Sequence, residues 1–224
     1  MRDGDGSVFS SNVAHSLQSR TVLTPLHSGE SISDHMYRMS LITMFAPASL
    51  GVDIAHCTKM ALIHDMAEAL VGDITPVDGV PKHEKNRRES TTMDYLTKTL
   101  LGRVNGGLTA QGIRDIWQEY EDGKTKESIF VHDVDKLELL LQMVEYERAH
   151  DHKLDLGEFS WVATRIELPE LKAWSDEVLK EREDFWAGRE HSSYQADGRK
   201  VKHLAEKLEY YSHTIPSEET NGEQ

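Results

Sequence analysis

Residues 61–73 read ALIHDMAEALVGD, and the adjacent pair His64–Asp65 within this apolar stretch decides how the chain is read. An imidazole beside a carboxylate inside an apolar helix is costly to bury unless the charge is paired or holds a metal. No lysine or arginine lies within a helical turn of Asp65, whose neighbours are Ala61, Leu62, Ile63, Met66 and Ala67. A divalent cation is therefore the natural partner. Two further candidate ligands stand elsewhere, His35 in SISDHMYRM (31–39) and Asp135 in VHDVDKLELL (131–140). Two imidazoles with two carboxylates form an N/O donor set suited to Zn, Mn, Co, Fe or Ni.

Working outward, Asp53 can cap a helix running from Asp53 to Gly72, where the glycine ends it and Pro76 confirms the stop. In such a helix His64 and Asp65 project ~100° apart. Glu68 follows them by four and three positions and shares their face. Asp73 lies just past the helix end, where the chain can turn back toward the same cleft. Upstream, SISDHMYRMSLITMF (31–45) has a capping serine at Ser31 or Ser33 and apolar residues nearly all round, so a buried helix is expected. Downstream come the loop TPVDGVP, a charged helix KHEKNRRESTTMDYLTKTLL and the turn GRVNGG. Thr109 can cap TAQGIRDIWQEYE. The longest periodic helix is KESIFVHDVDKLELLLQMVEYERAH, with Phe130, Val134, Leu137, Leu141 and Val144 in phase. A last core helix has Pro169 in its first turn and Leu171, Trp174, Val178 and Leu179 on its inner stripe.

No β-alternation of useful length appears, so the expected architecture is an all-α bundle with the metal site between its helices. The domain is expected over residues 30–185. Residues 1–29 read as a poorly ordered segment. Residues 186–224 read as an extension with a mobile helix in ADGRKVKHLAEKLEYY and a disordered SEETNGEQ end.

The chain has 224 residues, enough for one sizeable core. Its formal charge of −14 repels long nucleic acid and anionic membranes, which argues against a DNA-binding module. A small phosphate can still enter a cleft made locally positive by a metal and a few lysines or arginines. The single cysteine, Cys57, excludes an internal disulfide and reads as a small buried residue. No apolar run approaches the ~20 residues that span a bilayer, and the N-terminus carries no apolar signal region. A cytoplasmic or nuclear location is expected.

The ordinary readings of these residues are structural. A lone histidine such as His35 in an apolar helix is usually a satisfied core residue. Lys82 to Arg88 is by default a solvated helix face with pairs such as Glu84 and Arg88. His132, His150, His152 and His191 read as surface residues. Periodicity does not choose between Asp133 and Asp135. His64 with Asp65 and Glu68 is harder to explain by packing, because two acids would stand on a mostly apolar face.

Taken together, H…HD…D on His35, His64–Asp65 and Asp135 resembles the HD-domain metal phosphohydrolases. The longer strings ESISDHMYRMSLI, ALIHDMAEALVGDITP, PKHEKNRRE and the DKLE stretch ending at Glu138 resemble that family's 5′-deoxynucleotidase branch over roughly residues 30–180. The resemblance implies an all-α, usually homodimeric enzyme that removes phosphate from deoxyribonucleoside 5′-monophosphates. It implies Mn, Co or Mg as cofactor, with Zn or Fe as alternatives, and a small-molecule nucleotide as the partner. It makes His35, His64, Asp65 and Asp135 the ligands of the first metal, choosing Asp135 over Asp133 by the DKLE stretch. Glu68 would sit over the attacking water and Asp73 beside the leaving oxygen. Glu68, Asp73 and the carbonyl of Ile74 also resemble a second metal site. Lys85, Arg87 and Arg88 fall in a family-like stretch and could contact the phosphate. Relatives carry an RTGW-like stretch before the first histidine helix, where this chain has SLQSRTVLTPLHSGES. Other activities on the same site are hydrolysis of deoxynucleoside triphosphates, cyclic nucleotides or guanosine tetraphosphate. A further alternative is a catalytically weakened protein that binds a nucleotide or a partner.

Overall fold

The computed structural model describes residues 31–74 and 78–193. The expectations for residues 1–29, for the helix at 196–211 and for the 217–224 end lie outside them. All regular elements among the described residues are helical.

Helix α1 spans Ile32–Thr43 and is capped by Ser31, whose hydroxyl accepts the Asp34 N–H at 3.1 Å. The Asp34 carboxylate reaches back to the Ser31 N–H at 3.2 Å, closing a reciprocal capping box. Such a cap stabilises a helix by about 1 kcal/mol. Ile32, His35, Met39 and Thr43 face inward. The helix is not buried all round, contrary to the expectation from its composition. Tyr37, Leu41, Met44 and Phe45 are exposed, because their spacing puts them on the opposite face.

Helix α2 spans Ile54–Ala61, and the Asp53 carboxylate accepts the His56 N–H at 3.1 Å as its cap. The single helix expected over 53–72 is broken. Leu62–Ala67 forms a run of turns, and α3 covers only Glu68–Val71. The N–H groups of Ile63, Met66 and Glu68 donate to Met60, Ile63 and Asp65, three residues back rather than four. This tighter winding re-aims successive side chains. Gly72 ends α3 with φ 76°, a value that favours glycine.

After α3, helix α4 spans Lys82–Asp94 and continues as a π-helical stretch over Tyr95–Leu100. Asn105, Gly106 and Gly107 all have positive φ. Helix α5 therefore starts at Leu108 with Gly107 as its cap and ends at Asp122; Thr109 lies inside it and is not the cap. Helix α6, Lys126–Ala149, is capped by Thr125, whose hydroxyl accepts the Ser128 N–H at 3.1 Å. A 3-10 stretch over Gly157–Arg165 leads to α7, Pro169–Trp186, with Pro169 in its first turn as expected.

Helix α6 is central, packing against α1, α2, α5 and α7. Its Phe130, Val134, Leu137, Leu140 and Met143 meet Met39, Met60, Leu156 and Leu171 in the main core. Leu141, expected in phase with them, is only partly buried. A smaller cluster of Ala67, Met93 and Trp117 packs α4 and α5 beneath the turn before α3. Cys57 is buried, in line with its reading as packing. No helix among the described residues is long and apolar enough to cross a membrane.

A buried polar knot ties α7 to α6. Glu147 accepts from Arg182 Nε and Nη2, both at 2.9 Å, from Trp186 Nε1 at 2.8 Å and from the Leu156 N–H at 2.7 Å. Arg182 is 1% exposed and Glu147 is fully buried. Removing one partner strands the other charge in the interior, which costs about 3–5 kcal/mol. Glu147→Ala is therefore expected to lose about that much stability, read as a lower urea midpoint. A midpoint equal to that of the unmodified protein contradicts the assignment.

Candidate metal centre

The break after α2 positions the first pair. In a regular helix His64 and Asp65 would diverge by ~100°. Here His64 Nε2 lies 3.2 Å from Asp65 Oδ2. His35 comes from α1, with Nε2 at 3.3 Å from Asp135 Oδ1 and 3.7 Å from Asp65 Oδ2. Asp135 comes from α6. One ligand atom each of His35, His64 and Asp135 lies within 4.8 Å of the others. The two imidazole rings are tilted by 60° at a centroid separation of 5.5 Å.

The cluster is asymmetric. The imidazoles are buried, whereas the carboxylates are 23% exposed at Asp65 and 38% at Asp135. Each ring is held from behind at Nδ1, His35 by Glu138 Oε2 at 2.7 Å and His64 by the Ala61 carbonyl at 2.9 Å. His64 Nε2 is buried and has no hydrogen-bond partner. An orphaned imidazole nitrogen beside two carboxylates and a second imidazole fits a divalent cation. His35, His64, Asp65 and Asp135 are the residues that could hold it.

Electrostatics agree with that grouping. Burial alone would depress His35, but hydrogen bonds to Asp135 and Glu138 outweigh it and raise its pKa well above the usual histidine value. His64 is raised as well, burial being overcome by Asp65. Burial works to raise Asp65 and Asp135, yet the imidazoles hold both below the ordinary carboxylate range.

Glu68 and Asp73 behave differently. Burial, then Asp65 and Asp73, pushes Glu68 well above the usual glutamate value. Burial, opposed by Lys85 and aided by Asp65 and Asp135, pushes Asp73 up to about 7. A carboxyl raised to about 7, as Asp73 is, is suited to proton transfer near neutrality. Ile74 is buried next to Asp73. Lys85 Nζ stands 3.5 Å from Glu68 Oε1 and 3.4 Å from Glu89 Oε1, so it joins this carboxylate group. Arg87 and Arg88 instead pair with Glu84 on the exposed side of α4, at 2.7 and 2.8 Å, which is the ordinary solvated-face arrangement.

Three neighbours of the cluster were not singled out as site residues. Tyr120 donates its phenol to Asp135 Oδ2 at 3.3 Å and packs its ring 4.8 Å from His64. His132 is half-buried against Tyr120 at 3.9 Å and not a surface residue as its sequence reading had it. Glu138 is fully buried behind His35. Its place three residues after Asp135 puts both acids on one face of α6, a signal the sequence did contain.

The choice between Asp133 and Asp135 is physical. Asp133 is fully buried and accepts the N–H groups of Glu167 at 2.9 Å and Leu168 at 2.7 Å, fixing the approach to α7. Asp133→Ala is expected to cost about 1–3 kcal/mol by leaving those donors unpaired, with bound metal retained. Asp135→Asn is expected to do the reverse, weakening metal binding by more than the ~10–100-fold typical of an outer partner at unchanged stability. Elemental analysis paired with urea unfolding reads both, and the opposite pattern refutes the assignment.

The chain is similar to known proteins in sequence and fold. A model of the HD domain matches residues 17–174. The chain is 46% identical over 158 residues to 5′-deoxynucleotidase hdd1 of Schizosaccharomyces pombe, covering 70% of this chain and 79% of that protein. It is 43% identical over 157 residues to 5′-deoxynucleotidase YGK1 of Saccharomyces cerevisiae, covering 70% and 72%. The solved structure of the HD domain-containing protein YGK1 superposes with a TM-score of 0.57 over 69% of this chain and 78% of that one, at 37% identity. A buried histidine pair met by aspartates from two elements is thus accompanied by sequence likeness across most of the chain, and the chain belongs to the HD domain family.

Proposed function

We propose that this chain is a metal-dependent 5′-deoxynucleotidase that hydrolyses deoxyribonucleoside 5′-monophosphates to deoxyribonucleosides and phosphate. The observation that carries the reading is the convergence of His35, His64, Asp65 and Asp135 beside two carboxyls, Glu68 and Asp73, whose pKa values are raised. The relatives named above, both called 5′-deoxynucleotidases, supply the substrate class.

In this reading His35, His64, Asp65 and Asp135 hold a divalent ion, Mn, Co or Mg by the family resemblance with Zn or Fe as alternatives, since the N/O donor set alone does not rank them. Such an ion supplies Lewis acidity and lowers the pKa of a water at neutral pH. Glu68 orients that water and accepts its proton. Asp73 delivers a proton to the departing nucleoside 5′-oxygen. Lys85 offsets the negative charge of the carboxylates and of an entering phosphate, and Arg88 supplies further positive charge at the rim of α4. Glu68, Asp73 and the Ile74 carbonyl are the donors for a second cation of the oxygen-loving kind. The reading includes a homodimer, supported by the exposed apolar face of Tyr37 and Leu41 on α1 with Met44 and Phe45 just past its end. The domain is taken as residues 30–185.

Purified protein supplied with Mn is expected to free inorganic phosphate from a panel of deoxyribonucleoside 5′-monophosphates and to stop when a chelator is added. Glu68→Ala is expected to keep the metal held by His35, His64, Asp65 and Asp135 while turnover falls about 10²–10⁴-fold, the usual weight of general base catalysis. Metal-loaded protein that frees no phosphate from any member of the panel refutes the function. Release of triphosphate from deoxynucleoside triphosphates would move the activity to another HD substrate class.

A further inference from the structure

Behind His35 lies a chain of polar contacts that the proposed reaction does not use. Its ring Nδ1 meets Glu138 Oε2 at 2.7 Å. The other Glu138 oxygen takes Arg38 Nε at 2.8 Å, and Gln142 Nε2 donates to both oxygens at 2.9 and 2.8 Å. Arg38 then grips Glu145 with two further hydrogen bonds, of 2.6 and 3.1 Å. Glu138 is fully buried, while Glu145 is 58% exposed. If Glu138 served only to neutralise Arg38, its burial would be hard to explain. Arg38 already has a two-point carboxylate partner in Glu145, which stands in solvent. The cost of burying a carboxylate is large unless its oxygens are used, and the contact that uses Glu138 Oε2 most closely is His35.

We infer that Glu138 is a positioning residue for the candidate metal site, holding the proton of His35 on Nδ1 so that Nε2 is turned, with its lone pair free, toward Asp65 and Asp135. A neutral imidazole carries one N–H, and its location is set by whatever accepts it. An ionised carboxylate can only accept, so it selects the Nδ1–H form. His64 reaches the same orientation through the Ala61 carbonyl. The two rings therefore differ in what stands behind them, a neutral carbonyl in one case and a carboxylate in the other. A carboxylate makes the ring a stronger donor to a cation, and loss of such an outer partner typically weakens metal binding ~10–100-fold.

The inference rests on His35 being a metal ligand, and the test separates the two claims. The full chain is titrated with Co²⁺ by calorimetry and by its visible absorption spectrum, alongside Glu138→Gln. The glutamine keeps the size of the side chain and removes its charge. Glu138→Gln is expected to bind Co²⁺ ~10–100-fold more weakly, with an altered ligand-field spectrum, measured at a temperature where the metal-free variant is shown by circular dichroism to be folded. Glu138→Asp is expected to recover part of the affinity. Equal affinity and equal spectra for Glu138→Gln and the unmodified protein overturn the inference while leaving the metal site intact. If the unmodified protein binds no Co²⁺, the metal reading itself falls and this inference with it. Should Glu138→Gln fail to fold, nitrogen-15 NMR of the unmodified Zn²⁺-loaded protein decides. A hydrogen-bonded Nδ1–H on His35 supports the inference, and an Nε2–H overturns it.

Discussion

The contact between α1 and α6 at His35 is the constraint on which the rest of the molecule depends. His35 is gripped on both nitrogens by acids of one helix, Glu138 at 2.7 Å and Asp135 at 3.3 Å. Those acids are three residues apart, so a single turn of α6 brackets the ring. The bracket fixes the register of α1 against α6 more narrowly than Met39 and Leu137 do alone, since apolar contacts tolerate sliding and directional polar contacts do not. Once α1 and α6 are locked, α2 lies against both and delivers His64 and Asp65 to the same place. Asp133, on the same helix, meanwhile accepts the backbone of Glu167 and Leu168 and sets where α7 begins. One helix therefore carries the orienting acid, the proposed ligand and the structural cap within six residues.

Much of this was legible in the chain itself. Ser31, Asp53 and Pro169 are found at helix starts because capping depends on local hydrogen bonds or a preset φ that tertiary context seldom overrides. The His64–Asp65 pair announces itself because such residues are expensive in an apolar stretch. The start of α5 was misread, because Asn105 adopts φ 48° beside two glycines and pushes the start to Leu108. The break between α2 and α3 was invisible for a different reason. Ala61–Val71 has uninterrupted helical composition, so nothing in it marks the tight turns that carry His64 and Asp65. Tyr120 could not be found by periodicity, since its stripe with Ile116 and Trp117 reads as core whether or not the phenol reaches a carboxylate. Arg88 could be placed only with coordinates, which pair it with Glu84.

The two groups of carboxylates divide the labour electrostatically. Asp65 and Asp135 are kept acidic by the neighbouring imidazoles, while Glu68 is pushed up by burial, Asp65 and Asp73, and Asp73 is pushed up to about 7 by burial, Asp65 and Asp135. Lys85 lies between Glu68 and Glu89 and limits how far that push goes. This separation of paired acids into ion-holding and proton-handling sets is a general way for one cleft to run both kinds of chemistry. Here it is produced by placing all positive partners of the first set on histidine and that of the second on lysine.

The unequal exposure of the cluster has a directional consequence. With the imidazoles forming a closed floor and the two aspartates an open lip, traffic to the centre is one-sided. On the proposed reading, an ion or a phosphoryl oxygen would meet the exposed oxygens of Asp65 and Asp135 before the buried imidazole nitrogens.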